Sequence, residues 1–159
     1  MKKAKTFVAV FLFGLTVFSG RVQCAEVELR VEKLGEALKL LRPDERPVVD
    51  QAVEQIKKGM HTAALATLSS LSKANPDNSS LRILTAYALL QAGNLVGAFD
   101  EAKKAEATPN GNSYKCWFLA KVALLAGDQF ACKREVGHLK KDGDMAADVK
   151  ALEKEPGKR

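Results

Sequence analysis

The segment GNLVGAFDEA, residues 93–102, contains a glycine followed five positions later by an alanine. The same pair recurs 34 residues earlier as Gly59 and Ala64, and 34 residues later as Gly127 and Cys132. A fixed period in this range is typical of structural repeats that stack on one another. The spacing therefore predicts a repeat architecture, and it outweighs any single short motif in deciding the fold.

Each repeated glycine ends an apolar stretch of helical character. The three stretches are VVDQAVEQIKKG, LRILTAYALLQAG and CWFLAKVALLAG. Glycine suits the left-handed position at which a helix stops and the chain turns tightly. Asn94 and Asp128 come next and are favourable N-cap residues for a second helix, whereas the first unit has Met60 at that position. Each unit is thus predicted to be a pair of antiparallel helices.

Small residues stand at two fixed positions around each glycine, seven before it and five after it. In an antiparallel pair these positions face each other where the helices cross, and small side chains let the axes approach to about 8–10 Å. The residues concerned are Ala52, Ala86 and Ala120 on the first helices and Ala64, Ala98 and Cys132 on the second. We expect these side chains to be buried between paired helices.

This pattern resembles the tetratricopeptide repeat, whose period is also 34 residues. The resemblance covers about 100 residues, in units at 45–78, 79–112 and 113–146. It departs from the family at two positions of the first helix that are often aromatic. The earlier position holds Val48, Arg82 and Cys116 in the three units, and the later one holds Gln55, Leu89 and Ala123. The resemblance implies an all-α fold, an α-solenoid of three helix hairpins over residues 44–146 with capping helices at both ends.

The two ends of the predicted array carry amphipathic segments. Residues 25–43 are predicted to form an N-terminal helix with an apolar stripe at Val27, Val31, Leu34, Leu38 and Leu41. This stripe either covers the end of the array or pairs two chains as a coiled coil. At the other end, Asp144 is predicted to cap a last helix whose apolar face is Met145, Val149 and Leu152, with the remainder of that helix and the tail at 147–159.

The first 24 residues are predicted to be a secretory signal peptide. A basic start, residues 1–5, precedes the apolar stretch of residues 6–20, with a cleavage site before Ala25. We expect a periplasmic or secreted protein; the alternative is an uncleaved signal that anchors the chain in the inner membrane. Without residues 1–24 the chain has 21 basic and 19 acidic residues, so its charge gives no indication of nucleic-acid binding.

The sequence carries no pattern that predicts catalysis, a metal site or a cofactor. Its two histidines, His61 and His138, lie 77 positions apart, without a paired carboxylate pattern or a phosphate-binding glycine loop. Cys116 and Cys132 either form a disulfide or serve as small buried hydrophobic residues. We therefore expect a protein that is not an enzyme.

The resemblance implies that the inner wall of the array, built from the first helix of each unit, touches a ligand. The residues this implies are Val49, Val53, Ile83, Tyr87, Gln91, Tyr114, Trp117, Phe118 and Lys121. For Tyr87 and Phe118, packing between units is the alternative. Tyrosine and tryptophan are enriched at binding hot spots, so we expect a protein or peptide partner and an assembly or scaffold role in the cell envelope. The alternative function is self-assembly through residues 27–41, with the groove secondary.

Overall fold

The computed structural model describes residues 27–109 and 112–154, with the side chains of Glu36, Ala37 and Asp144 excepted. Within these residues every regular element is helical and no strand is present. The α-helices are α1 (Gly35–Leu38), α2 (Arg46–Lys57), α3 (His61–Ala74), α4 (Ser79–Gln91), α5 (Leu95–Ala107), α6 (Tyr114–Leu125), α7 (Gln129–Leu139) and α8 (Ala146–Lys154). Short 3₁₀ turns at Val31–Leu34 and Gly143–Met145 precede α1 and α8. The all-α prediction is confirmed.

Two predicted segments lie outside the described residues. They are the signal peptide at 1–24 and the tail beyond residue 154. In the part of the chain that the structure covers, no helix has the length and apolar character needed to cross a bilayer.

The repeated glycines end helices α2, α4 and α6 as predicted. Gly59, Gly93 and Gly127 have φ angles of 74°, 84° and 76°. At Gly93 the backbone N–H bonds to the Leu90 carbonyl, and the next N–H, of Asn94, bonds to the Leu89 carbonyl. The same two bonds occur after Gly59 and Gly127. This arrangement satisfies the last carbonyls of each helix and requires the left-handed conformation that glycine adopts without strain.

Side-chain N-caps precede three of the later helices, α4, α5 and α7. Asn94 and Asp128 each accept a bond of 2.9 Å from a backbone N–H, that of Gly97 and that of Ala131, so both predicted N-caps are confirmed. Asn78 caps α4 in the same way. Met60 precedes α3 without a side-chain cap.

Consecutive helices from α2 to α7 pack against one another along the chain. The predicted crossing residues are at most 5% exposed and lie in one continuous core: Ala52, Ala64, Ala86, Ala98, Ala120 and Cys132. This order of packing is compatible with an α-solenoid. Residues Met145, Val149 and Leu152 are buried, as expected for a helix that covers the last pair.

The N-terminal segment, residues 27–41, differs from the single amphipathic helix that its spacing predicts. Residues 27–30 have no regular structure, and helical turns begin only at Val31. Its apolar stripe still packs on the core of the same chain, with Val27, Leu34 and Leu41 at most 3% exposed. An isolated helix of this length is marginal in water, and contacts with the array decide the backbone conformation instead.

Candidate functional site

The predicted groove residues lie on α2, α4 and α6, and most of them are covered. Six are at most 6% exposed: Val49, Val53, Ile83, Tyr114, Trp117 and Phe118. Three are half-buried: Tyr87, Gln91 and Lys121. In this structure, therefore, six of the nine residues are covered rather than open to solvent. Several of these residues are buried because the N-terminal segment lies against the groove and covers them.

Tyr114 holds the backbone of the N-terminal segment by two hydrogen bonds. Its hydroxyl accepts a bond of 2.9 Å from the Arg30 backbone N–H and donates one of 3.1 Å to the Glu28 carbonyl oxygen. Burial raises the pKa of the Tyr114 hydroxyl, so this group keeps the proton that it donates to the Glu28 carbonyl. Both bonds go to main-chain groups, so this contact recognises backbone without regular secondary structure rather than a particular side chain.

Two further side chains bind the same backbone a few residues on. Ser80 Oγ, at the start of α4, donates a bond of 2.9 Å to the Leu34 carbonyl. Asn112 Nδ2, just before α6, donates a bond of 2.9 Å to the Lys33 carbonyl. These donors and Tyr114 lie near the N-terminal ends of two groove helices, and they satisfy backbone groups that a regular helix over residues 27–41 would use internally.

Arg30 provides the side-chain part of the contact. Its guanidinium carbon lies 4.5 Å from the centre of the Trp117 ring, a cation–π arrangement. The same guanidinium pairs with Asp148 of α8 at 2.8 Å, and the two side chains are 26% and 18% exposed. The Trp117 ring in turn stacks on Tyr114, with ring centres 5.2 Å apart. One arginine thus joins the N-terminal segment to α6 and to α8.

Part of the groove stays open beside the N-terminal segment. A cavity of about 680 Å³ lies between Val27–Val31, the end of α2 and the end of α4, with Tyr87 and Gln91 in its wall. This volume falls within the range of small-ligand pockets. Phe118, by contrast, is 0% exposed and packs in the core, which is the alternative left open for it by the sequence. Val53 and Ile83 are likewise core residues.

The residues that make the groove contact specific could not be predicted from the sequence. Arg30 and Asp148 stand in the two end segments, and no local pattern links positions so far apart. Ser80 and Asn112 are polar residues next to helix starts, which the sequence alone assigns to capping. Only Tyr114 and Trp117 were predictable, because aromatic residues on an inner wall are a recognisable signal.

Cys116 and Cys132 are not joined by a disulfide in this structure. Cys132 is buried and Cys116 is half-buried, so the alternative of two small hydrophobic residues describes this structure. Burial raises the pKa of the Cys116 thiol to about 11. A set of four potential metal ligands that includes Cys116 lies between α5, α6 and α7, among the residues the structure describes.

Comparison of the chain with protein-family models, with curated proteins and with solved structures returned no significant match. The geometry of the groove and of its contacts therefore carries the functional argument.

Proposed function

We propose that this protein is a non-catalytic interaction module whose groove binds a peptide segment of a partner protein. In this proposal the pairs α2–α3, α4–α5 and α6–α7 are tetratricopeptide-like hairpins. The observation that carries it is the pair of hydrogen bonds from the Tyr114 hydroxyl to the backbone of residues 28 and 30. A groove that binds main chain from its own protein has the chemistry to bind main chain from another.

The contacts of the N-terminal segment also describe the ligand that would fit. They call for a backbone without regular secondary structure and with an arginine over Trp117, because Arg30 meets both the aromatic face and the Asp148 carboxylate. Apolar residues on either side of that arginine would replace Val27 and Val31. With the predicted signal peptide, these features support an assembly or scaffold factor in the cell envelope.

The N-terminal segment would compete with such a partner. Because it is tethered close to the groove, its effective concentration there is on the order of millimolar. A partner peptide must therefore bind more tightly than a free copy of the segment, or the segment must first be released. In this view the segment sets the affinity threshold for binding.

Two substitutions test the proposal, one in the N-terminal segment and one in the groove that binds it. A labelled peptide of residues 27–41 is titrated with the full chain, and binding is followed by fluorescence anisotropy. Arg30→Ala loosens the tethered segment but leaves the groove intact, so the peptide should bind roughly 5- to 30-fold more tightly. Adding Tyr114→Phe to that variant removes two groove hydrogen bonds and should weaken binding by up to roughly 30-fold.

Matched controls separate this result from a general loss of stability. Arg82 forms an ion pair with Glu101 of similar burial, at 3.2 Å, so Arg82→Ala removes a comparable pair outside the contact with the segment. It should leave peptide affinity unchanged, and a scrambled peptide should not bind. Equal effects of Arg30→Ala and Arg82→Ala, or no binding in any variant, would contradict the proposal.

Self-assembly remains the second candidate function, and one observation bears on it. The apolar stripe of residues 27–41 packs on its own array, so a dimer through this stripe would require two chains to exchange segments. Such an exchange would make the same Tyr114 and Arg30 contacts between chains. Sedimentation distinguishes the two, because exchange gives a dimer at all but low concentrations.

A further inference from the structure

Four side chains that can bind metal converge outside the groove. They are Glu106 at the end of α5, Cys116 on α6, and Glu135 and His138 on α7. One potential ligand atom from each lies within 4.8 Å of the others. The cluster thus joins two consecutive helix pairs.

Glu135 gives an independent sign that a cation belongs here. This side chain is 0% exposed, and its Oε1 accepts a bond of 2.7 Å from Arg134 Nε. Its Oε2 is buried with no hydrogen-bond partner at standard geometry among the described residues, and the weakly donating Cys116 thiol contacts the same carboxylate. His138 Nδ1 lies 3.3 Å from this oxygen and 4.0 Å from a Glu106 oxygen. A buried carboxylate oxygen without a donor is costly, and a bound cation removes that cost.

The donor set selects the class of ion. A thiolate sulfur, an imidazole nitrogen and carboxylate oxygens suit a divalent transition metal of intermediate softness, zinc above all, and not calcium or magnesium, which take oxygen ligands. Metal–ligand bonds of about 2.0–2.3 Å place tetrahedral ligand atoms roughly 3.3–3.8 Å apart. The cluster must therefore contract by about 1 Å at its widest. Rotation of the partly exposed Glu106 and His138 side chains provides this movement.

The backbone supports a joint role for the two ligands on α7. Glu135 and His138 are three residues apart, so they share one helix face, the spacing used by glutamate–histidine metal ligands in helical bundles. Cys116 lies in the first turn of α6 and Glu106 in the last turn of α5, on either side of the connection that contains Pro109. An ion held by these side chains would join the second helix pair to the third.

We propose that Glu106, Cys116, Glu135 and His138 bind one divalent transition-metal ion, with zinc as the best match. Four protein ligands fill a tetrahedral shell, so the site is structural rather than catalytic. It stands apart from the groove, and its test does not depend on whether a peptide binds there.

Cobalt substitution tests the proposal directly. The full chain is reduced, stripped of metal with a chelator and titrated with Co²⁺, whose spectrum reports its ligands. We expect one ion per chain, the visible bands of four-coordinate cobalt, and a near-ultraviolet thiolate-to-cobalt band. Zinc should displace the cobalt and raise the melting temperature, because it binds only the folded state.

Variants assign the ligands. Cys116→Ser should remove the thiolate-to-cobalt band. His138→Gln removes a ligand and should weaken Co²⁺ binding by roughly 10- to 100-fold or more, since changes next to a metal site already cause losses of that size. His138 has a side chain 48% exposed, so its replacement leaves the fold intact. Cys132→Ser and His61→Gln are the matched controls and should bind cobalt like the unchanged chain.

Two results would overturn the site. One is a stripped chain that takes up no cobalt or zinc at micromolar concentrations while its circular dichroism shows intact helices. The other is a cobalt spectrum that Cys116→Ser and His138→Gln leave unchanged, since the ion would then be bound elsewhere.

Discussion

Gly93 and Gly137 are both glycines, but their backbone conformations place opposite demands on a substituted residue. Gly93 has a φ of 84° after α4, whereas Gly137 lies inside α7, and a Cβ added at either would meet nothing within 4 Å. The two sites therefore differ in backbone conformation and not in steric space.

This difference predicts opposite changes in stability. Gly93→Ala should lower the free energy of unfolding by about 1–2 kcal/mol, the cost of the left-handed conformation for an alanine. Gly137→Ala should raise it by about 0.5–1 kcal/mol, because alanine loses less conformational freedom in a helix. Urea denaturation followed by circular dichroism measures both. Shifts of the same sign would contradict the role assigned to the repeated glycines.

Adjacent alanines on α3 test the close approach of paired helices. Ala64 is 0% exposed at the crossing with α2, whereas Ala63 is exposed. Ala64→Leu should destabilise the protein by about 1–3 kcal/mol, because a large side chain overfills the contact. Ala63→Leu should change stability by at most about 0.5 kcal/mol. Similar unfolding midpoints for the two variants would mean that the helices do not meet at this point.

At the scale of elements, Glu45 joins the start of α2 to the end of α3. Its carboxylate accepts hydrogen bonds from the Asn75 side chain at 3.0 Å and from the Arg42 guanidinium at 3.1 Å, as well as from the Arg42 backbone. These bonds, that from Asn75 foremost, lower the pKa of Glu45. The contribution of these bonds to the stability of the folded chain is therefore complete above the pKa that Glu45 has in the unfolded chain. It is lost as the pH falls through the lower pKa of the folded chain.

Glu45→Gln should remove this part of the acid sensitivity. The unchanged chain should lose more melting temperature between pH 7 and pH 3 than the variant does, while at pH 7 the variant should melt at a lower temperature. Asp50→Asn, an exposed change on the same helix, is the control. If Glu45→Gln and the unchanged chain lose the same number of degrees on acidification, the carboxylate does not stabilise the α2–α3 pair.

The N-terminal segment shows where reasoning from local pattern ends. The spacing of Val27, Val31 and Leu34 fits a helix, and each of these residues does pack on the core. The backbone conformation is decided instead by Tyr114, which lies 84 residues from Arg30. A hydrogen bond of this sequence separation leaves no periodic signal, whereas the glycines, caps and small crossing residues act locally and could be predicted.

At the scale of the whole molecule, contacts between residues distant in sequence could not be predicted, either for the groove contact or for the proposed metal site. The helices were predictable, and with them the faces on which Tyr114 and Trp117 lie. The covering of these faces by residues 27–41 could not be predicted, because the covering segment and the groove are distant in sequence. The metal-ligand cluster was missed for a related reason: Glu135 and His138 share a helix, but Cys116 and Glu106 come from two others.

The covered groove also predicts the behaviour of the molecule in solution. A chain that starts at Ala25 should sediment as a monomer, since its apolar stripe is packed within the chain. Removing residues 25–42 should expose the aromatic wall of α6 and increase binding of the dye 1-anilinonaphthalene-8-sulfonate. A dimer that becomes a monomer on this truncation would instead support self-assembly through the segment.

Amide hydrogen exchange at Arg30 tests the central claim, that the groove binds main chain of the N-terminal segment and that a partner can replace this segment. In the full chain the Arg30 amide should be protected by the Tyr114 hydroxyl, and Tyr114→Phe should abolish that protection. Addition of excess peptide of residues 27–41 should also speed exchange at Arg30, while amides inside α4 stay protected. Unchanged protection of Arg30 at all peptide concentrations would mean that the segment is a permanent part of the core and that the groove binds no partner.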